Sequence, residues 1–453
     1  MATSSFSSLP TELLQEIGVG QDHKSLRAVC KALRIAINPL FFSSVVIQLS
    51  AQRPDKGLSR LETIASGETG WSTFACALTI HCDLYHYGLE KLDDEVQAAC
   101  YSRMKESLLP ALESLKTIRT IAWSVQERQG YPGWINETIL SALPSFPLLN
   151  DLSLSGDLRG LMARTALHGF DRLGGLCKLK LSGYDWIQDG ISTEASLKIS
   201  KALSRSPCLT ALEVSITGID LSPIWNTLRT EKIYLEELNT SSVTRDMICY
   251  LCSYSGLIRL ILMGPSIDVP PAEDLSLSDL FFITALPKHA DSLVELSCVA
   301  TVEGQWGFNS KNAHLLWRLV RLQSLTTSVN WADIHDSGDT VELLLDAIPN
   351  LPSLSSLSII GSTLRVPYPI YEGFFENHRL KLSKRIRVIM RSYRTITRPR
   401  IVVNAGERRF GAKAVSDSHA KQWGYKKLSD PNEQRFEGFQ VGIGGQYESS
   451  DSE

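Results

Sequence analysis

Two short stretches of the sequence carry residue types that bind zinc. They are His81-Cys82-x-x-x-His86 and Cys249-x-x-Cys252. A tetrahedral zinc site needs four ligands, and neither stretch has a second pair at a spacing that completes one. The two cysteines of the second stretch lie among apolar residues, which favours packing on a helix. We therefore predict that neither stretch binds a metal.

Two further stretches have residues that catalysis or nucleotide binding could use. His335 lies near Asp333 and Asp336 in a predicted loop, where we expect a solvated imidazole. Residues 406–413 resemble a phosphate-binding loop, but Ala412 separates the second glycine from the lysine, and no hydroxyl residue follows that lysine. The Gly-x-Ser-x-Gly and His-Glu-x-x-His motifs are missing from the sequence. We expect a non-catalytic protein that uses no cofactor.

The composition is that of an ordinary globular protein. The chain has 453 residues, 46 Lys and Arg, 49 Asp and Glu, and a net charge of -3. With 43% hydrophobic residues, disorder of the whole chain is excluded. The nine cysteines are scattered and odd in number, which favours reduced thiols. No segment is typical of a secretory signal or a membrane span, so we expect a cytoplasmic or nuclear protein without membrane contact.

Leucine is unusually frequent and unevenly distributed. The chain has 63 leucines, and Leu428 alone lies beyond residue 383. Many of them follow the spacing Leu-x-x-Leu-x-Leu, with Thr, Val, Ile or Cys at the third position in some copies. A fixed spacing of this kind predicts repeated strands. The middle residues of the copies are Leu152, Leu179, Leu212, Leu238, Leu260, Leu296, Leu325 and Leu357.

The segments before these strands also recur. Ala-Leu-Pro or a similar tripeptide begins at residues 142, 202, 285 and 347, about ten residues before each middle leucine, and helix-like stretches precede it. Each unit therefore reads as helix, turn and short strand. Such units bury their apolar faces only by stacking, which predicts a parallel sheet on the concave side and helices on the convex side. The pattern resembles irregular leucine-rich repeats. Val45-Val-Ile47 and Ala77-Leu-Thr-Ile80 are predicted as earlier strands of the same sheet.

The N-terminal segment has a different pattern. Residues 9–17 predict an amphipathic helix that Gly18 and Gly20 end, and a second helix is predicted from Ser25 to the residue before Pro39. The second helix is predicted to place Leu26, Val29, Cys30, Leu33 and Ile37 on one face. Helices this short need packing partners. The motifs are Leu9-Pro10-x-x-Leu13-Leu14-x-x-Ile17, then Leu26-x-x-Val29-Cys30, and then Asn38-Pro39-Leu40-Phe41.

These motifs together resemble an F-box, and are most similar to the F-box proteins of fungi. The resemblance implies a substrate receptor in which the F-box binds a Skp-type adaptor of a cullin ubiquitin ligase and the repeats bind an unknown protein substrate. It departs from the family at Gly18-Val19-Gly20, where aromatic and apolar residues are usual. The alternative is an interaction scaffold with a degenerate F-box, in which these helices only cap the repeats. The adaptor-contacting residues implied by the resemblance are Leu9, Pro10, Leu13, Leu14, Ile17, Leu26, Val29 and Cys30.

The substrate would contact residues that lie between the repeat leucines, because side chains alternate along a strand. This predicted concave set has both signs of charge, which suits protein recognition. It consists of Lys178, Lys180, Glu213, Glu237, Asn239, Arg259 and Glu295.

The C-terminal part changes character. Residues 379–413 contain 12 Lys and Arg and one acid, Glu407. The pattern predicts a capping helix with a solvated basic face and a last strand near residues 401–403, and an acidic partner is the alternative. We do not expect nucleic acid binding, because aromatic residues for base stacking are sparse. The predicted organisation is an F-box-like segment at 1–48, a connector at 49–110, a leucine-rich-repeat-like solenoid at 111–370, a basic cap at 371–430 and a disordered acidic tail at 431–453.

Overall fold

The computed structural model describes residues 10–18, 22–50, 53–55, 57–83, 93–125, 132–165, 167–183, 193–216, 219–263, 270–300, 302–335, 339–363, 372–406, 408–417 and 420–428. The predicted α/β class is confirmed, because helices and strands alternate along most of this part of the chain. The chain divides into two compact units. Unit 1 comprises residues 1–293 and unit 2 comprises residues 294–453.

The described strands of unit 1 form a parallel sheet in which each strand pairs with the next one along the chain. Parallel neighbours need a crossover between them, and the predicted helical segments supply it. Both strands predicted before the clear repeats are present. The strands are β1 (Ser44–Ser50), β2 (Ala77–Asp83), β3 (Thr120–Val125), β4 (Asp151–Gly156), β5 (Lys178–Gly183), β6 (Ala211–Ser215), β7 (Glu237–Thr240) and β8 (Arg259–Met263).

The middle leucines of the repeats set the register of this sheet. Leu152 pairs with Leu179, and Leu179 pairs with Leu212. The alignment continues through Leu238 to Leu260. All five side chains are buried. Each buried leucine contributes about 1.5–3 kcal/mol, and a shift by one residue would move every one to the other face, so the leucines fix the register.

The helices of unit 1 also pack in chain order, for example α9 (Thr193–Ser204) against α10 (Ser222–Thr230) and α10 against α11 (Arg245–Cys252). Short 3₁₀ helices at Leu143–Ser145, Phe170–Arg172 and Leu286–His289, and a π-helical turn at Leu280–Ala285, lie before strands or extend helices. The helices are α1 (Thr11–Gly18), α2 (His23–Val29), α3 (Lys31–Phe41), α4 (Leu58–Ala65), α5 (Gly70–Phe74), α6 (Asp94–Ser114), α7 (Gly133–Ala142), α8 (Leu158–Thr165), α9 (Thr193–Ser204), α10 (Ser222–Thr230), α11 (Arg245–Cys252) and α12 (Pro271–Asp279).

Unit 2 begins with the same parallel arrangement and ends differently. Leu296, Leu325 and Leu357 pair in register across β9 (Glu295–Val299), β10 (Ser324–Val329) and β11 (Ser356–Gly361). The next strand, β12 (Val402–Ala405), is parallel to β11. The strands β13 (Arg408–Asp417) and β14 (Ala420–Lys427) then continue the sheet as antiparallel strands. The elements are β9 (Glu295–Val299), α13 (Ala313–Leu316), β10 (Ser324–Val329), α14 (Trp331–His335), α15 (Asp339–Ala347), a 3₁₀ helix (Ile348–Asn350), β11 (Ser356–Gly361), α16 (Glu372–Ser392), β12 (Val402–Ala405), β13 (Arg408–Asp417) and β14 (Ala420–Lys427).

The basic stretch therefore contains more than a helix and a last strand. The predicted helix is α16, and β12 begins within the predicted strand at residues 401–403. The antiparallel pair β13 and β14 was not predicted. Gly406, with φ +51°, makes the turn from β12, and a Cβ there would lie 2.8 Å from the Ser383 Cβ. Within the described residues, no helix is long and apolar enough to cross a lipid bilayer.

Candidate functional site

The N-terminal helices fold around a small core of their own. Leu14 of α1 packs with Leu33, Ala36 and Ile37 of α3, and all four side chains are buried. The Gln15 side-chain amide donates to the Ala36 carbonyl at 3.1 Å, which also ties α1 to α3. Helices of 7 to 11 residues are marginal alone, so this packing is what holds them.

The predicted second helix is two helices, which corrects the sequence analysis. α2 begins at His23, because Asp22 caps it by accepting from the Lys24 N–H. The chain is extended at Cys30, with φ -158° and ψ 167°, and α3 follows with the Cys30 sulfur at its N-cap. This break changes the helical phase. Val29 is therefore not on the buried face that it was predicted to share with Leu33 and Ile37.

The adaptor-contacting residues that the F-box resemblance implies differ in how far they are buried. Leu14 is buried, and Leu26 and Cys30 are half-buried against the core of the three helices. Leu13 and Val29 are exposed by 46% and 68%. The remaining members are Pro10, which is exposed, Leu9, which lies outside the described residues, and Ile17, whose side chain also lies outside them.

Two residues of this segment were missed by the sequence analysis. Ile35 of α3 is 59% exposed, although it is apolar and belongs to the same helices. The Arg27 guanidinium lies 4.1 Å from the centre of the Phe41 ring and 4.6 Å from that of Phe42. Its Nε also donates to Asn38 Oδ1 at 2.8 Å, so Arg27 fastens α2 to the end of α3. The exposed apolar set of Pro10, Leu13, Val29 and Ile35 is called the outer apolar set below.

The second candidate site is the face of the unit 1 sheet that does not bury the leucines, called the open face below. Six of the seven residues predicted for the concave surface lie on it, in two rows that cross β4 to β8. Adjacent members of each row are direct register neighbours. One row is Asp151, Lys178, Ala211, Glu237 and Arg259, and the other is Ser153, Lys180, Glu213, Asn239 and Ile261.

Opposite charges are neighbours within these rows. Lys180 Nζ lies 2.9 Å from Glu213 Oε1, and Arg259 Nη1 donates to Glu237 Oε2 at 2.9 Å. Burial raises the pKa of the Asp151 carboxyl, and the positive charge of Lys178 opposes this rise. The two rows enclose a depression of about 220 Å³. Three positive and three negative side chains thus line one concavity, which suits a partner with its own pattern of charges.

The open face also has uncharged polar groups, of which Asn239 was predicted and the serines were not. Asn239 Oδ1 is buried and accepts no hydrogen bond from any described residue. A third row crosses β3 to β6 beside the charged rows, and all its members are half-buried serines in register. Serine side chains are short, so they project little from the sheet, and their hydroxyls can donate and accept hydrogen bonds. The row is Ser124, Ser155, Ser182 and Ser215.

Glu295, the seventh residue of the predicted concave set, lies in unit 2. It begins β9 and pairs in register with Ser324 of β10, and its side chain is half-buried.

The zinc-type residues lie in ordinary secondary structure. His81 is exposed and Cys82 is buried, because neighbours on β2 point to opposite faces. His86 lies outside the described residues. Burial raises the pKa of the Cys252 thiol, with a smaller contribution from Cys249, so the thiolate needed for a metal is disfavoured. Among the described residues, no cluster of three or more His, Cys, Asp or Glu side chains could hold a metal ion.

His335 and residues 408–413, which were considered for catalysis and nucleotide binding, also lie in regular secondary structure. His335 ends the short helix α14, so the predicted loop is wrong, and its side chain lies outside the described residues. Residues 408–413 belong to β13. A phosphate-binding loop opens a helix, whereas this stretch is one arm of a β-hairpin with β14.

A scan against protein-family models finds no match for this chain, and a search of curated proteins finds none either.

Proposed function

We propose that the protein is a non-catalytic substrate receptor of a cullin-type ubiquitin ligase. In this proposal α1, α2 and α3 bind a Skp-type adaptor as an F-box does, and the open face of unit 1 binds the protein to be ubiquitinated. The observation that carries the proposal is the division of the N-terminal apolar residues. One group forms the core of the three helices, and the outer apolar set stays exposed.

That division is what an adaptor-binding segment needs. Leu14, Leu33 and Ile37 keep the helices folded without a partner. Leu13, Val29 and Ile35 lose accessible apolar surface only when a partner covers them. A few buried anchors of this kind supply most of the free energy of a helix-mediated interface.

The open face supports the second half of the proposal. Its charged side chains alternate in sign across neighbouring strands, and its half-buried serine row offers hydrogen bonds. Protein interfaces contain about one hydrogen bond per 100–200 Å², and charge patterns select the partner more than they raise affinity.

The test is adaptor binding by purified protein. We expect the wild-type chain to co-elute with a Skp-type adaptor, and Leu13→Asp or Val29→Asp to weaken binding by at least about tenfold, because each places a charge in the interface. Leu197→Asp is the matched control, since Leu197 of α9 is 51% exposed and lies outside the N-terminal segment. Wild-type protein that binds no adaptor would overturn the proposal.

A second candidate is an interaction scaffold that uses only the sheet. Gly18-Val19-Gly20 favours it, because this stretch lacks the apolar residues that usually follow the first F-box helix. A scaffold would bind the same protein substrates, called clients below, through the open face. Proteasome inhibition would then reveal no ubiquitin conjugates of these clients. Client capture together with absent adaptor binding would select this candidate.

A further inference from the structure

A second concavity lies within unit 2, and its lining shares no residue with the two candidate sites of unit 1. It is formed by the turn before β11, the segment after α16 and strand β14, and its volume is about 210 Å³. Its floor is apolar, and the 3₁₀ helix Ile348–Asn350 supplies part of it. The apolar residues of the floor are Ile348, Pro349, Leu351, Pro352 and Leu354.

Two tyrosines with different hydrogen bonding form one wall. Tyr393 and Tyr425 have ring centres 6.2 Å apart, and both side chains are buried. The Tyr393 hydroxyl donates to Asp346 Oδ1 at 2.7 Å. The Tyr425 hydroxyl is buried and has no hydrogen-bond partner among the described residues. A buried hydroxyl without a partner is uncommon in folded proteins, and this one belongs to a residue that lines a cavity.

The opening of the cavity is positively charged. Arg398 and Arg400 both line it and are exposed. The Arg398 guanidinium lies 5.1 Å from the centre of the Trp423 ring, which restrains its position. Within the described part of the chain, neither arginine forms an ion pair with a carboxylate. Asp346, which lies beside this wall, already accepts the Tyr393 hydroxyl.

We propose that this cavity binds a small apolar carboxylate. Its apolar body would lie on the floor of Ile348, Pro349 and Leu354. Its carboxylate would face Arg398 and Arg400, with the Tyr425 hydroxyl as a further donor. Guanidinium groups suit this chemistry because they donate to carboxylates in a planar, charge-assisted geometry. A volume of about 210 Å³ is below the roughly 300–1,000 Å³ of pockets for drug-sized ligands, so the ligand is a single ring or a short chain. This inference does not depend on the proposed function.

The test is calorimetric titration of the full chain with defined probes. The probes are benzoate, 3-phenylpropanoate and octanoate, each paired with its uncharged amide. We expect at least one carboxylate to saturate the protein at submillimolar concentration and to bind about tenfold more tightly than its amide, because the amide has no charge to pair with the arginines. Equal affinity for acid and amide, or no saturation by any of the three acids, would overturn the proposal.

Variants then locate the site. Arg398→Gln and Arg400→Gln should each weaken carboxylate binding by about three- to tenfold, and amide binding should stay unchanged. Tyr425→Phe should weaken it as well, and it removes only a hydroxyl, so the fold is retained. Arg391→Gln is the control, because Arg391 is exposed in the last turn of α16 and does not line the cavity. Equal losses in Arg391→Gln and Arg398→Gln would show a general charge effect and overturn the assignment.

Discussion

Lys180 and Glu213 are direct register neighbours on β5 and β6, and their side chains meet at 2.9 Å on the open face of unit 1. Glu237 and Arg259 repeat this relationship between β7 and β8. These side chains are partly exposed, and exposed ion pairs are worth about 0.2–1 kcal/mol. The pairs therefore contribute little to the free energy of folding, and their partly exposed charges can interact with the charges of a binding partner.

Reversing one charge of such a pair should affect binding more than stability. We expect Lys180→Glu to lower the free energy of unfolding by about 1 kcal/mol or less, because like charges then face each other in a solvated position. Client capture by the open face should fall by about tenfold, because Lys180→Glu reverses a charge on the surface that we propose to contact the client. Urea denaturation measures the first effect, and quantitative pull-down measures the second.

The control for this prediction is another partly exposed ion pair. Arg103 of α6 donates from Nη2 to Glu62 Oε2 of α4 at 2.8 Å, and the Arg103 side chain is 58% exposed. Arg103→Glu should change stability by a similar small amount and leave client capture unchanged. Equal loss of capture in Arg103→Glu and Lys180→Glu would contradict a specific role for the open face.

Truncation of two adjacent leucines of α1 should lower the free energy of unfolding by very different amounts. Leu14→Ala removes a buried side chain from the core of α1 and α3, which costs about 2–5 kcal/mol. Leu13→Ala should cost less than about 0.5 kcal/mol, because Leu13 is exposed. Hydrogen exchange of the α1 and α3 amides checks this, since the segment is expected to open locally. Similar protection in both variants would mean that Leu14 does not hold the segment.

His289 should make folding sensitive to acid. Its Nδ1 accepts from the Leu257 N–H at 3.3 Å, and its Nε2 lies 3.1 Å from the Leu251 carbonyl oxygen. Burial lowers the pKa of His289 from the ordinary 6.5 to about 4, although the bond to Leu251 opposes this. The unfolded state therefore binds the proton more tightly. The stability from neutral His289 is complete above pH 6.5 and falls as the pH drops towards 4, by about 1.4 kcal/mol per pH unit.

Replacing His289 tests this prediction. Urea denaturation between pH 7 and pH 4.5 should show a steeper loss of stability in the wild type than in His289→Gln, which does not titrate. The carboxylates that the two proteins share cancel in this comparison. The same pH slope in both proteins would contradict a buried, neutral His289.

Removal of the hydroxyl should affect stability differently at two buried tyrosines, Tyr250 and Tyr425. The Tyr250 hydroxyl donates to the Ile233 carbonyl at 2.8 Å and accepts from the Leu235 N–H at 3.1 Å. Tyr250→Phe should lower the free energy of unfolding by about 1–3 kcal/mol, because it leaves both backbone groups without that partner.

Tyr425→Phe should change stability by less than about 0.5 kcal/mol or raise it, since the Tyr425 hydroxyl has no partner among the described residues. Thermal and urea unfolding of the two variants measure the difference. An equal loss in both variants would show that the Tyr425 hydroxyl is already satisfied in solution.

The sheet could be predicted from the sequence where the pattern is local and repeated. The spacing around Leu152 and Leu179 identifies strands and the face that each buries, because side chains alternate with period two. The N-terminal helices could be predicted only in part. The apolar pattern of residues 25–37 fits one continuous helix, and the extended backbone at Cys30 is not visible in that pattern. As a result Val29 was predicted on the wrong face.

The sequence by itself determined the α/β class, the position of most strands and the residues that lie between the buried leucines. These follow from the leucine spacing, since burial of one face leaves no other consistent register. Only the tertiary structure decided that Lys180 meets Glu213, that Leu13 is exposed beside buried Leu14, and that Tyr425 returns on β14 to close a cavity beside Arg398. These contacts join residues from separate elements, and their distances depend on how the elements pack.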